Sequence, residues 1–206
     1  MDLSQAIRDR RSVKSYADRE VDDATLQRIF ELVLESPSSF NLQHWRFVLV
    51  RDAARRKQLM DAAWGQPHVG AAAVDVIVCG KVNAHEDAER SQAHAPAEVA
   101  EKVVGMIRGI YDGKPQLQRD EAIRSASLAA MTLMLVAQAE GLRTCPMIGF
   151  DPAKVSEIVG LDESHVPVML VTLGHPGDGG VFPTSRFPME EVVRWETLDG
   201  DGFKGA

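Results

Sequence analysis

The run "LAAMTLMLVAQA", Leu128 to Ala139, lies in a helical stretch from about Asp120 to Glu140 that is apolar on nearly every side and stops at Gly141. Such a helix has no face to turn toward water. In a chain of 206 residues it is either the central helix of the fold or a helix packed against a second copy of itself, and Ala126, Ala129 and Ala130 permit close approach. Gly141 supplies the left-handed residue that commonly ends a helix. The run itself is interrupted and too short to span a bilayer.

Working outward, residues 151 to 159 form a short helix opened by an Asp-Pro pair, and "VPVMLVTLG", Val166 to Gly174, reads as an apolar strand. On the other side, Val99, Val103, Met106, Ile107 and Ile110 give helical spacing from Pro96 to Tyr111, which "DGKP" breaks. Residues 83 to 95 are polar and read as loop. Before them come a strand at "VDVIVCG", Val74 to Gly80, helical character over 53 to 63, and a strand at about 46 to 51. Leu26, Ile29, Phe30, Val33 and Leu34 mark an amphipathic helix over 22 to 35, behind the capping candidates Asp22 and Asp23. Strands separated by helices indicate α+β or α/β organisation.

The net charge of -7 and pI near 5.4 argue against a nucleic-acid footprint, which needs a basic face. Two cysteines, Cys79 and Cys145, suit free thiols in a reducing compartment better than a disulfide framework. The N-terminal "MDLSQAIRDRR" places charges where a secretory signal needs its apolar run, so a cytoplasmic protein is expected. No repeat or low-complexity tract appears, and one domain over 1–206 is the simplest account.

Two stretches carry candidate chemistry. In "RDRRSVKSY", Arg10, Ser12 and Lys14 alternate, so an extended backbone puts a guanidinium, a hydroxyl and an ammonium on one face, fit for a phosphate or a conjugated carbonyl. The same run reads equally as solvated charge at the negative end of a short helix. In "SPSSFNLQHWRFVLV", Ser36 to Val50, a polar hinge precedes a strand; it is either a binding loop on a rigid support or a turn satisfying its own backbone. No G-x-G-x-x-G opens a helix, no phosphate-binding P-loop is present, and "GHPGDGG", Gly174 to Gly180, reads as a flexible loop. His85, Glu86, Asp87 and His94 match no metal-ligand spacing, so no metal is expected.

Taken in order, "RRSVKSY", "SPSSFNLQHWRFVLV", "AWGQPHVGAAAVDVIV", "GLRTCPMIGFD" and a late "SRFP" make the chain resemble the FMN-dependent nitroreductase family over nearly its whole length. The resemblance implies an α+β sandwich, a central antiparallel-rich mixed sheet flanked by helices, and a homodimer joined through long central helices with FMN at the subunit interface. By that resemblance Arg10, Ser12 and Lys14, with Arg11 beside them, reach the phosphate and the pyrimidine side of FMN. Pro37, Ser38, Ser39 and Asn41 come from the other subunit to line the flavin. Pro146, Met147, Ile148 and Gly149 pass beside the N5 edge, Gln66 is a flavin-edge ligand, Arg186 closes on the phosphate, and the tail 183–206 wraps the partner. Four positions depart from the family pattern: His44 replaces a proline, Gly65 a frequent Asn, Ile148 a Glu of some members, and Thr184 a second phosphate-binding lysine.

The implied activity is hydride transfer from NADH or NADPH through flavin N5 to nitroaromatics, quinones or similar electrophiles, in a ping-pong sequence that demands no side-chain acid or base. A segment over 95 to 115 is expected to act as the lid that sets substrate choice. Dehalogenation or activated-alkene reduction on the same fold, and a non-catalytic flavin-storage role, stand as alternatives.

Overall fold

The computed structural model describes residues 1–179 and 181–205; Gly180, the last residue of the expected glycine-rich loop, and Ala206, the last of the expected tail, lie outside the described residues. In chain order the elements are α1 (Leu3–Asp9), α2 (Asp23–Val33), β1 (Trp45–Val50), α3 (Ala53–Ala62), α4 (Pro67–Ala71), β2 (Val74–Lys81), α5 (Ala88–Ser91), α6 (Ala97–Tyr111), α7 (Pro115–Ala139), β3 (Arg143–Met147), α8 (Pro152–Val159), β4 (His165–Gly174) and α9 (Met189–Val192). Capping follows the sequence. Asp22, Asp52 and Asp151 each accept a backbone N–H of the helix they open, which satisfies donors that would otherwise lack partners.

The sheet runs β1-β2-β4-β3, and every ladder among the described residues is antiparallel. The mixed character expected of it is confined to one isolated parallel bridge, Ser12 to Thr144. β2 is buried on both faces, which explains its unbroken apolar sequence. Val74, Val76 and Val78 face α2 and α7, packing with Ile29, Val33, Leu133 and Leu173. Ile77 and Cys79 face the opposite way, among Leu59, Val69, Val155 and Leu170 of α3, α4, α8 and β4. The result is an α+β sandwich with helices on both faces.

α7 begins at Pro115, five residues earlier than its apolar pattern announces. The proline that reads as a breaker takes the first helical turn, where its missing N–H costs nothing. At 25 residues the helix is long and apolar enough, by length and composition, to cross a bilayer; half of its most apolar window is instead buried inside the protein. Its alanines let it lie close over the sheet. A Cβ on Gly80 of β2 would meet the Ala122 carbonyl oxygen at 2.8 Å, so only glycine fits that crossing. Gly141 takes the expected left-handed conformation, with φ of +81°.

Three further regions differ from their sequence pattern. Residues 83–95 hold a 3-10 turn at Ala84–Asp87 and then α5, because Ala84, His85 and Ala88 are buried beneath α6. β3 is a strand despite Pro146. α6 buries Val104, Ile107 and Tyr111, while Val99, Met106 and Ile110 of its apolar series stay exposed.

Candidate cofactor site

The basic segment is extended and pinned to the sheet. Val13 N–H donates to the Thr144 carbonyl at 3.0 Å, and the Val13 side chain is buried, so Ser12 and Lys14 on either side of it turn outward. Tyr16 locks the segment further: its hydroxyl lies 2.6 Å from Thr172 Oγ1 and donates to the Val13 carbonyl at 3.0 Å. The alternation seen in the sequence therefore becomes a real face. That face forms one wall of a cavity of about 250 Å³ lined by Arg10, Arg11, Ser12, Lys14, Val181, Phe182, Thr184 and Arg186.

The charge there is unbalanced. Three guanidinium groups and an ammonium line the cavity, and no carboxylate is among its lining residues. Arg10 is held below the ordinary arginine range, first by burial and then by the positive charges of Arg11 and Arg186. Its Nη1 is buried with no hydrogen-bond partner. An orphaned guanidinium N–H amid like charge is costly unless an anion completes it, and guanidinium pairs with phosphate bidentately. The donor set therefore fits the phosphate and carbonyl oxygens of a flavin mononucleotide, and Thr184 adds a hydroxyl to the lining.

A second group of expected residues meets at the end of β3. Gln66 donates from Nε2 to the Gly149 carbonyl at 3.0 Å, so its amide is spent on orienting this backbone turn. Ile148 projects outward, 77 % exposed, and Trp64, also exposed, stands over Gly149. Burial is the main influence on the pKa of Cys145, pushing it up, and of His68, pushing it down, and the Lys14 ammonium lowers both. Both Cys145 and His68 are buried, and they stand one residue before Pro146 and two residues after Gln66, respectively.

Pro37, Ser38, Ser39 and Asn41 lie apart from this cavity. Ser38 Oγ accepts the Gln43 N–H at 2.9 Å, and the Ser39 hydroxyl lies 2.7 Å from that of Tyr111 on α6. Ser38 thus does serve its own turn. Phe40, Asn41 and Gln43 hold positive φ of 49°, 53° and 49°, a conformation that costs free energy in residues other than glycine. Asn41 is exposed and lines a different cavity with Gln43, Arg46, Asp87 and Arg90.

Comparison with known proteins gives the family and agrees with the fold. A model of the nitroreductase family matches residues 7–175. Protein DrgA of Synechocystis is 41 % identical over 200 residues, spanning 94 % of this chain and 95 % of that one. An NADH dehydrogenase of Thermus thermophilus is 35 % identical over 206 residues, spanning 95 % and 96 %. A structure from Exiguobacterium sibiricum, solved in complex with FMN, superposes with a TM-score of 0.86 at 28 % identity, covering 95 % of this chain and 98 % of that one.

Proposed function

Because this chain belongs to the nitroreductase family, we propose that it is an FMN-dependent oxidoreductase that takes electrons from NADH or NADPH and passes them to nitroaromatics, quinones or similar conjugated electrophiles. The observation that carries the reading is the carboxylate-free cradle around the unpartnered Arg10 Nη1. Bound FMN would supply hydride exchange at N5, chemistry that no side chain offers.

The chain's own residues bind and polarise. Arg10, Ser12 and Lys14, with Arg11 beside them, would reach the phosphate and the pyrimidine side of the ring, and Arg186 would close on the phosphate. Lys14 would stabilise negative charge gathering on the pyrimidine side during reduction, a preorganised electrostatic contribution. Pro146, Met147, Ile148 and Gly149 present backbone to the ring's N5 side, held in place by the Gln66 amide. With Ile148 where some members carry Glu, the nicotinamide side of the site would lack that carboxylate, so the donor would be held differently from those members. Donor and acceptor then use one face in turn, which gives ping-pong kinetics.

The site is completed in a homodimer. Pro37, Ser38, Ser39 and Asn41 of one subunit line the flavin of the other, which accounts for an exposed, strained hinge remote from the cradle of its own chain. Two features support a second copy. α7 leaves Leu128 and Met131 exposed, and α1, which packs against α7, exposes Leu3 and Ile7. The tail 183–205 exposes Phe187, Trp195 and Leu198, the last 92 % accessible, although the Trp195 and Phe203 rings pack on each other 5.4 Å apart. Apolar surface of that extent asks for a cover, and the tail of a single nitroreductase-like domain laid over its partner supplies one. The two buried thiols, Cys79 and Cys145, suit a reducing cytoplasm.

The test is a visible absorption spectrum of the purified protein followed by anaerobic addition of NADH or NADPH. A flavin spectrum that bleaches on reduction, and recovers on adding a quinone or nitroarene, is expected. A protein that neither retains FMN nor binds it when added would overturn the reading, and a flavin that no nicotinamide bleaches would turn it toward storage.

A further inference from the structure

Tyr111, the last residue of α6, is buried and carries a hydroxyl that its apolar neighbours cannot satisfy. Its partner is Ser39: the two hydroxyl oxygens lie 2.7 Å apart, one donating to the other. Ser39 stands 72 residues earlier, in the hinge, so this is a tertiary contact and not turn chemistry. The tyrosine is itself held in place. Its carbonyl accepts Gln118 Nε2 of α7 at 2.8 Å and the Lys114 N–H at 3.1 Å, and its ring lies against that of His85, centroids 6.0 Å apart. One hydroxyl pair thereby ties the hinge to the long central helix.

The hinge needs such a tie. Phe40 and Asn41, the two residues after Ser39, both hold positive φ, a conformation that persists only where the surroundings over-determine it. The turn supplies one constraint itself, the Ser38 hydroxyl accepting the Gln43 N–H. Others come from the α5 and α6 side: Leu42 is buried with Ala88, Val104, Ile107 and Tyr111, Phe40 packs against that cluster, and Gln92 Nε2 donates to the Phe40 carbonyl at 3.4 Å. Apolar packing fixes position without direction, whereas a hydrogen bond fixes both. Of the two hydrogen bonds that reach the hinge from this side, the hydroxyl pair is the shorter.

We infer that Tyr111 is a positioning residue for the shared cofactor site: its hydroxyl holds Ser39, and with it the strained turn at Phe40 and Asn41, in the arrangement that meets the flavin of the partner subunit. The inference rests on the flavin reading given above. Tyr111 does not reach the cofactor; it acts through the hinge. Without the hydroxyl the hinge keeps its apolar packing and loses a fixed direction, so part of the flavin's binding free energy goes to reordering it. The loss falls on the partner's cradle and not on the cradle of the chain that carries the substitution.

Tyr111→Phe removes the hydroxyl and keeps the ring, and two measurements read its effect. By fluorescence titration the FMN Kd of the homodimer should rise about fivefold, as for one lost neutral hydrogen bond, and the Tyr111→Phe/Ser39→Ala double variant should bind no more weakly than Ser39→Ala alone. In a purified heterodimer of Tyr111→Phe and Arg10→Ala chains, one site carries both lesions and the other neither, so one flavin per dimer should bind with wild-type affinity. A side chain that only stabilised its own chain's fold would weaken that chain's cradle, and neither site would then be normal. That result, an unchanged Kd for Tyr111→Phe, or additive effects of the two substitutions would overturn the inference. Should Tyr111→Phe fail to fold, Gln118→Met, which removes the donor to the Tyr111 carbonyl and leaves both hydroxyls in place, should weaken the partner's site in the same heterodimer, and wild-type affinity in its homodimer would overturn the inference. A heterodimer of Asn41→Ala and Arg10→Ala chains separates the readings: if it holds a normal site and the Tyr111→Phe heterodimer does not, only this inference fails. If neither holds one, the shared site fails, and a wild-type chain that binds no FMN sinks the function reading.

Discussion

The basic segment 10–14 and the hinge 37–43 are both polar loops joining a helix to the sheet region, and they handle their polar groups in opposite ways. The basic segment gives its backbone to β3 and leaves the side chains of Arg10, Ser12 and Lys14 uncommitted, with Arg10 Nη1 buried and unsatisfied, while Arg11 turns back to the carbonyls of Arg8 and Arg10. The hinge satisfies itself through Ser38 and Ser39, accepts three positive-φ residues, and turns Asn41 to solvent. One loop is an incomplete site on a complete support; the other is a complete turn carrying a side chain with nothing of its own to touch. On the reading proposed above, the orphaned guanidinium amid like charge is where the cofactor would bind, and the exposed hinge is where the flavin of a partner would lie.

The largest effect expected is on stability beneath the basic segment, where the sheet buries Asp75 between Val50 and Thr172. Both of its carboxylate oxygens lack partners, and burial pushes its pKa up to about 8, against a weaker pull from Arg56. A folded-state pKa raised above the ordinary 3.8 means that the native protein binds the extra proton. The stabilisation is full below about pH 4 and is lost as pH rises toward 8, at up to about 1.4 kcal/mol per pH unit. Urea unfolding from pH 5 to pH 9 should show this slope, and Asp75→Asn should flatten it. An unchanged slope would remove Asp75 as its source.

Next comes the cradle. Arg10→Ala should weaken FMN binding by about 1.5–3 kcal/mol, roughly one to two orders of magnitude in Kd, by fluorescence titration. Its unfolding midpoint in the FMN-free protein should hold or rise, because the substitution relieves repulsion from Arg11 and Arg186. The hinge should respond in reverse at Ser38: Ser38→Ala removes the acceptor of the Gln43 N–H and should cost about 1 kcal/mol of stability. The smallest stability effect is expected at Asn41, where Asn41→Ala should stay within about 0.5 kcal/mol of wild type by the same unfolding measurement and yet lower flavin occupancy. A large stability loss there would erase the contrast between the two loops.

Most of the fold was legible because periodicity is strong where one face is buried. α2 and β2 stand within two residues of their patterns, and the all-round apolar stretch is indeed the helix that crosses the sheet. The start of α7 was not legible, since Pro115 reads as a breaker until a helix is known to begin there. β3 hid because five residues containing a proline carry too little periodicity. In the site, the alternation of Arg10, Ser12 and Lys14 was visible, and the burial of Val13 confirms it. Arg186 and Gln66 were reachable only through the family resemblance, as their surroundings in the sequence have no period. His68 and Cys145 carry no pattern of their own, although they lie within two residues of Gln66 and Pro146, which the resemblance names. The positive φ of Phe40, Asn41 and Gln43 left no trace either, since glycine would have been the signal and none stands there.

The central claim, that each site joins the cradle of one chain to the hinge of its partner, is tested most directly by a purified heterodimer of differently tagged Arg10→Ala and Asn41→Ala chains. In a two-fold dimer one site then carries both lesions and the other carries neither. The heterodimer should bind about one flavin per dimer with near-normal affinity and recover about half of the wild-type turnover, well above the mean of the two mutant homodimers. Binding and turnover no higher than that mean would contradict the shared site.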